Sequence, residues 1–201
     1  NGDWQVTGVG LNGMVSPAAP LDLGNSGTGV RLLMGVVAGQ GITATFTGDR
    51  SLSSRPMARI TEPLTSMGAS ITSRDGQLPV TITGTASPLA SQHRSKVASA
   101  QIKSAILLAG LNARGTTQIT EPHASRDHSE SMLRYFGADV QQTIADDGSH
   151  IISLQGEAVL HGRQITVPRD PSSAAFAVVA ALITPDSDVI ISGIGMNPLR
   201  T

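Results

Sequence analysis

The apolar residues of this chain fall into two rhythms that take turns along its length. Continuous runs of small apolar residues, RLLMGVVAG at 31–39, ILLAGLNARG at 106–115 and FAVVAALIT at 176–184, have the length of buried helices. Each is followed by a shorter β-branched stretch: ITATFTG at 42–48, TTQITEP at 116–122 and DVIISGI at 188–194. Two further helical stretches come next, MARITEPLTSMGA at 57–69 and HSESMLRYFGA at 128–138. They stop at Gly68 and Gly137, and glycine is the usual residue just past a helix. The segments SITSRDGQLPVTITG (70–84) and DVQQTIADDGSHIISLQG (139–156) read as hairpins that turn at Asp-Gly, residues 75–76 and 147–148.

The pattern repeats with a period of about seventy residues, the mark of a duplicated supersecondary unit. The unit reads β-α-β-α-β-β. The chain is expected to hold the tail of one strand (WQVTGV, 4–9), about two units, and the opening of another. Helices alternating with strands of mixed direction must bury against sheets, which predicts an α/β fold. Composition agrees: 39% of the 201 residues are hydrophobic but only 2% are aromatic, so the core must be built from Ala, Val, Ile, Leu and Met.

Charge and composition then remove whole classes of function. A net charge of −1 and scarce aromatics argue against a bulk grip on nucleic acid and leave no base-stacking platform. Basic chemistry must be local, made by a few placed arginines. The lack of cysteine removes disulfides, thiolate metal sites and cysteine nucleophiles, and fits a cytoplasmic enzyme. No apolar run approaches the ~20 residues that span a bilayer, and NGDWQVTG is unlike a signal peptide. With no initiator Met and an end in GMNPLRT, the chain is expected to be a piece of a longer one. His93, His123, His128, His150 and His161 lack metal-site spacing, and most are expected at the surface; no metal or cofactor is expected.

Four places could carry chemistry. The turn in LDLGNSGTGVRLL (21–33) offers Gly24, Gly27 and Gly29 for close backbone approach and Asn25, Ser26 and Thr28 for capping. Its helix start is either a tight strand-to-helix turn or an anion cradle. It is not a P-loop. Arg55, before Pro56, stands at a helix entry, as a surface charge or as a fork for a carboxylate or phosphate. Ser99, Ala100 and Gln101 open the corresponding helix of the next unit, where Ser99 is a normal N-cap or part of a second cradle. Arg126 holds the place of Arg55 in its own unit. Two such turns and two arginines, placed alike, suggest two anionic ligands or one ligand with two anionic groups. Lys103 is expected to face solvent. Asp127 and Asp170 read as helix caps, and no general base stands out.

These stretches resemble the 5-enolpyruvylshikimate-3-phosphate synthase family, in its bacterial branch that includes glyphosate-tolerant members. The likeness rests on LDLGNSGTGVRLLMG, TFTGDRSLSSRPMARITEPLTSMGA, LPVTITG, ASAQIKSAILLAGLN, SRDHSESMLRYFGA, DPSSAAFAVVAAL and MNPLRT, in order over almost the whole chain. It implies the enolpyruvyl transferase fold: two domains, each of three β-α-β-α-β-β units around a pseudo-threefold axis (an inside-out α/β barrel), incomplete here. It also implies a boundary near Pro168, with 1–168 a partial first domain and 169–201 the start of the second.

The implied reaction joins shikimate 3-phosphate to phosphoenolpyruvate with loss of phosphate, in a monomeric cytoplasmic enzyme. By the same likeness Asn25, Gly27, Arg55 and Gln101 face phosphoenolpyruvate, and Ser99, Ala100, Gln101 and Arg126 face shikimate 3-phosphate. The family's catalytic carboxylates and lysine match no position here, so this chain alone is expected to be inactive. Tolerant members often carry alanine where this chain has Gly27, which implies a glyphosate-sensitive parent. Three rivals remain: an enolpyruvyl transferase acting on UDP-N-acetylglucosamine, a non-catalytic α/β repeat scaffold, and a nucleotide-binding protein.

Overall fold

The computed structural model describes residues 2–200. The duplicated unit is present twice. In the first, β1 (Leu21–Asp22) leads into α1 (Gly27–Ala38) and β2 (Thr43–Thr47). A short helix α2 (Arg50–Ser53), α3 (Ala58–Ser66) and the hairpin β3 (Ser70–Arg74) and β4 (Gln77–Thr83) complete it. In the second, β5 (Gln92–Arg94), α4 (Ala100–Gly110), β6 (Thr116–Glu121), α5 (His128–Phe136), β7 (Val140–Ile144) and β8 (His150–Gln155) follow in the same order. The sheets have matching topologies, β1-β2-β4-β3 and β5-β6-β8-β7, with the first pair parallel and the others antiparallel.

Local chemistry explains the corners. Asp75 and Gly76 both take positive φ, +52° and +69°, as a two-residue turn between twisted strands requires. Gly137 ends α5 at φ +104°, with the Gly137 and Ala138 N–H groups donating to Arg134 and Leu133 carbonyls.

One core serves both units. Val30, Met34, Phe46, Leu64 and Ile82 from the first pack with Ile106, Leu107, Ile119 and Leu154 from the second. Its seam lies between α1 and α4, which run in the same direction. A Cβ added to Gly35 would lie 2.3 Å from the Ala105 carbonyl oxygen, and one on Gly39 2.6 Å from that of Ala109. Glycine therefore lets the backbones approach more closely than any side chain allows. Parallel packing leaves both helix N-termini at one end, with their positive dipole ends side by side.

Two expected strands are absent. Residues 4–9 form no strand, and Trp4, Val6 and Val9 are exposed. Residues 188–194 contribute only an isolated bridge between Ile194 and Arg169. A strand needs a neighbouring edge for its N–H and C=O groups; among the described residues 4–9 pair with none, and 188–194 meet only the single residue Arg169. The expected third helix is present as α6 (Pro171–Ile183), but it buries none of its residues.

Candidate active site

The turn before α1 is held by its own side chains. The Asp22 carboxylate accepts from the Gly24 N–H at 2.9 Å, Gly24 takes φ +53°, and Ser26 Oγ accepts from the Gly29 N–H at 3.0 Å. Gly27 is the buried first residue of α1. Two guanidinium groups converge on it. A Cβ at Gly27 would lie 2.7 Å from Arg55 Nη1 and 3.0 Å from Arg31 Nη1. Arg31 reaches back along α1 to donate to the Gly27 carbonyl at 3.0 Å and across to the Pro56 carbonyl at 3.4 Å.

Arg55 is aimed by a relay. Its Nη2 donates to Asn25 Oδ1 at 2.7 Å and to Ser51 Oγ at 3.3 Å. Asn25 Nδ2 in turn donates to Asp49 Oδ2 at 2.7 Å, while Asp49 Oδ1 caps α2 by accepting from the Leu52 N–H at 2.7 Å. The Leu52 N–H, followed by the Asn25 amide, holds the Asp49 carboxyl below its usual range. Burial, and then the like charge of Arg55, lowers the Arg31 guanidinium pKa. Neither arginine forms an ion pair among the described residues. Two facing cations at a helix N-terminus supply the positive charge and the N–H donors that a compact anion would require.

The second cradle is its neighbour. Ser99 caps α4, its Oγ accepting from the Ile102 N–H at 3.5 Å. Gln101 Nε2 donates to Thr28 Oγ1 at 2.8 Å and so ties the two helix starts together. Arg126 is exposed in the turn before α5. The structure thus joins Asn25, Gly27 and Arg55 in one cluster and Ser99, Ala100 and Gln101 in the next, with Gln101 bridging them. Arg126 is linked to the second cluster through its neighbour Ser125, whose hydroxyl shares the Glu121 carboxylate with the Ser99 N–H.

Several expectations are corrected. Lys103 does not face solvent: its side chain is 2% exposed, and its ammonium lies 3.1 Å from Glu121 Oε2 and 2.7 Å from Glu130 Oε1. A lysine inside an otherwise apolar helix has to be paired, and that is the signal carried by the run AQIKSAILLAG. Asp127 makes no capping bond; its carboxylate accepts from Asn197 Nδ2 at 2.6 Å. Asp170 does cap, accepting from the Ser172 and Ser173 N–H groups. His93 is half-buried, and burial lowers its pKa against the opposing charge of Glu62. Arg31 joins the site only in the fold, although its place one turn after Gly27 puts it over the same turn. Among the described residues no three His, Asp or Glu side chains gather for a metal, and no helix is long and apolar enough to cross a membrane.

Comparison with known proteins gives a consistent result. The family model for EPSP synthase (3-phosphoshikimate 1-carboxyvinyltransferase) matches residues 2–201. A 3-phosphoshikimate 1-carboxyvinyltransferase from Granulibacter bethesdensis is 54% identical over 202 residues, covering 100% of this chain and 44% of the relative. One from Nitrobacter hamburgensis is 57% identical over 202 residues, covering 98% of this chain and 44% of the relative. The solved structure of EPSP synthase from Acinetobacter baumannii superposes with a TM-score of 0.81 at 49% identity, covering 95% of this chain and 42% of that one. The chain therefore spans about 44% of the length of the curated relatives it matches.

Proposed function

This chain belongs to the EPSP synthase family, and from that premise we propose that the protein transfers the enolpyruvyl group of phosphoenolpyruvate to the 5-hydroxyl of shikimate 3-phosphate. The observation that carries the proposal is the convergence of Arg31 and Arg55 on Gly27, beside a second helix start tied to it by the Gln101–Thr28 bond. Phosphoenolpyruvate is assigned to the α1 side, held by the Gly27 turn, Asn25, Arg55 and Gln101, with Arg31 added. Shikimate 3-phosphate is assigned to the α4 side, held by Ser99, Ala100, Gln101 and Arg126.

The chemistry follows from that arrangement. The 5-hydroxyl gives up its proton and its oxygen attacks the enol carbon of phosphoenolpyruvate, while a proton adds to the methylene carbon as the double bond opens, giving a tetrahedral intermediate. Loss of phosphate, with a proton removed from the new methyl group, restores the enol double bond. The residues of this chain supply binding and alignment; holding both anions side by side converts a two-body encounter into an internal attack. Two guanidiniums also spread the charge that returns to the departing phosphate.

The division into 1–168 and 169–201 is part of the same proposal. It is supported by α6, which shares nothing with the common core. A cytoplasmic, monomeric enzyme inhibited by glyphosate at the Gly27 cradle completes the reading.

The test uses an enzyme completed from the Granulibacter bethesdensis relative, with this chain in place of its matching 202 residues. It should form product, and Arg55→Ala should lower kcat/KM for phosphoenolpyruvate by about a hundredfold, the scale of a lost charge-assisted contact. A folded chimera without activity, or an Arg55→Ala form with full activity, would overturn the proposal.

A further inference from the structure

The buried lysine is not among the residues assigned to either anion. Lys103, Glu121 and Glu130 bring one cation and two carboxylates into the interior at 2%, 1% and 0% exposure. Three charges taken out of water must be repaid by close pairing and hydrogen bonds. Where the bonds of this cluster lead is therefore informative.

Every donor of the Lys103 ammonium finds an acceptor: Glu121 Oε2 at 3.1 Å, Glu130 Oε1 at 2.7 Å and the Ser125 carbonyl at 3.2 Å. Glu121 Oε1 accepts from the Ser99 N–H at 2.8 Å, and both its oxygens accept from Ser125 Oγ, at 2.9 and 2.8 Å. Glu121 thus grips both the residue that opens α4 and the residue before Arg126. Lys103 fixes the carbonyl of that same turn. Glu130 accepts from Lys103 and, at 3.4 Å, from Gln142 Nε2; among the described residues it makes no hydrogen bond to either segment, and its Oε2 has no partner.

The first unit offers an independent parallel. There an acid following the second strand, Asp49, ties the α1 turn to Arg55 through Asn25, and its N–H donates to the Gly24 carbonyl at 2.9 Å. In each unit, then, an acid at the end of the second strand fastens the helix start to the segment that bears the arginine. The first tie is exposed, and the second is buried and braced by a lysine.

We propose that Glu121 and Lys103 are positioning residues that fix the Ser99–Gln101 helix start and the Ser125–Arg126 turn as one phosphate-binding unit; this rests on the assignment of shikimate 3-phosphate to that side. Neither touches the ligand. Their effect falls on the phosphate group of that ligand, because a capped helix start and an arginine-bearing turn are the elements that bind a phosphate.

The test compares dissociation constants for shikimate 3-phosphate and for unphosphorylated shikimate in the completed enzyme. Glu121→Gln should weaken shikimate 3-phosphate by about tenfold, the scale of a lost charge-assisted hydrogen bond, and leave shikimate within about twofold. Glu130→Gln removes an equally buried charge and should leave both constants within about twofold. If Glu121→Gln does not fold, the paired Lys103→Gln/Glu130→Gln variant keeps the buried net charge and releases the Ser125 carbonyl. It should show the same selective loss. Equal weakening of both ligands, unchanged shikimate 3-phosphate binding, or equal effects of Glu121→Gln and Glu130→Gln would overturn the proposal. Wild-type enzyme that does not prefer shikimate 3-phosphate over shikimate would overturn the functional reading beneath it.

Discussion

At Gly27 the absence of a side chain is a property of the site. A methyl group there would stand 2.7 Å from Arg55 Nη1 and 3.0 Å from Arg31 Nη1, so the tips of both guanidiniums would have to shift. Side-chain tips can shift, so Gly27→Ala should fold and still turn over phosphoenolpyruvate. Glyphosate, the longer anion, should be crowded more. Its inhibition constant in the completed enzyme should rise by about tenfold or more relative to the KM of phosphoenolpyruvate, the discrimination a single methyl group provides. Equal changes in both would contradict this placement. The glycine turn, Arg55 and Ser99 are legible in the sequence because backbone freedom, proline and capping leave local signatures. The second arginine of the pair is not, since Arg31 joins the candidate cluster only when α1 folds and carries it back over Gly27. Lys103 reads as a surface residue for a related reason: its partners Glu121 and Glu130 come from other elements.

At the scale of elements, the seam between α1 and α4 decides whether there are two adjacent cradles or two separate turns. Gly35 and Gly39 meet the backbone of Ala105 and Ala109 without a Cβ between them. Alanine at position 35 would gain about 1 kcal/mol of helix propensity. It would also place a methyl 2.3 Å from a carbonyl oxygen that cannot swing aside. Gly35→Ala should therefore destabilise the protein by about 1–3 kcal/mol, as overpacking does. Urea unfolding would measure it, and a more stable variant would contradict this packing of the seam. The alternation of helix and strand textures is enough to read the β-α-β-α-β-β unit, and Asp-Gly and terminal glycines mark its corners. The strands expected at 4–9 and 188–194 fail because β-branched composition gives a strand its propensity, whereas only a neighbouring edge gives it hydrogen bonds.

For the whole molecule, duplication explains the arrangement. Each unit builds a helix start and an arginine-bearing turn, and parallel packing of α1 on α4 sets the two helix starts side by side. A repeat that served only as scaffold would have no need to face Arg31 against Arg55 with neither in an ion pair among the described residues. The apolar face of α6, with Phe176 82% and Leu182 79% exposed, stands apart from the core that the two units share. The direct measurement is an amide-shift titration with shikimate 3-phosphate, with unphosphorylated shikimate as control, on this chain and on the completed enzyme. Shifts centred on Ser99, Gln101 and Arg126 that need the phosphate are the expected result. Shifts absent from both proteins, or equal for the two ligands, would contradict the assignment of the α4 cradle to the phosphate of shikimate 3-phosphate.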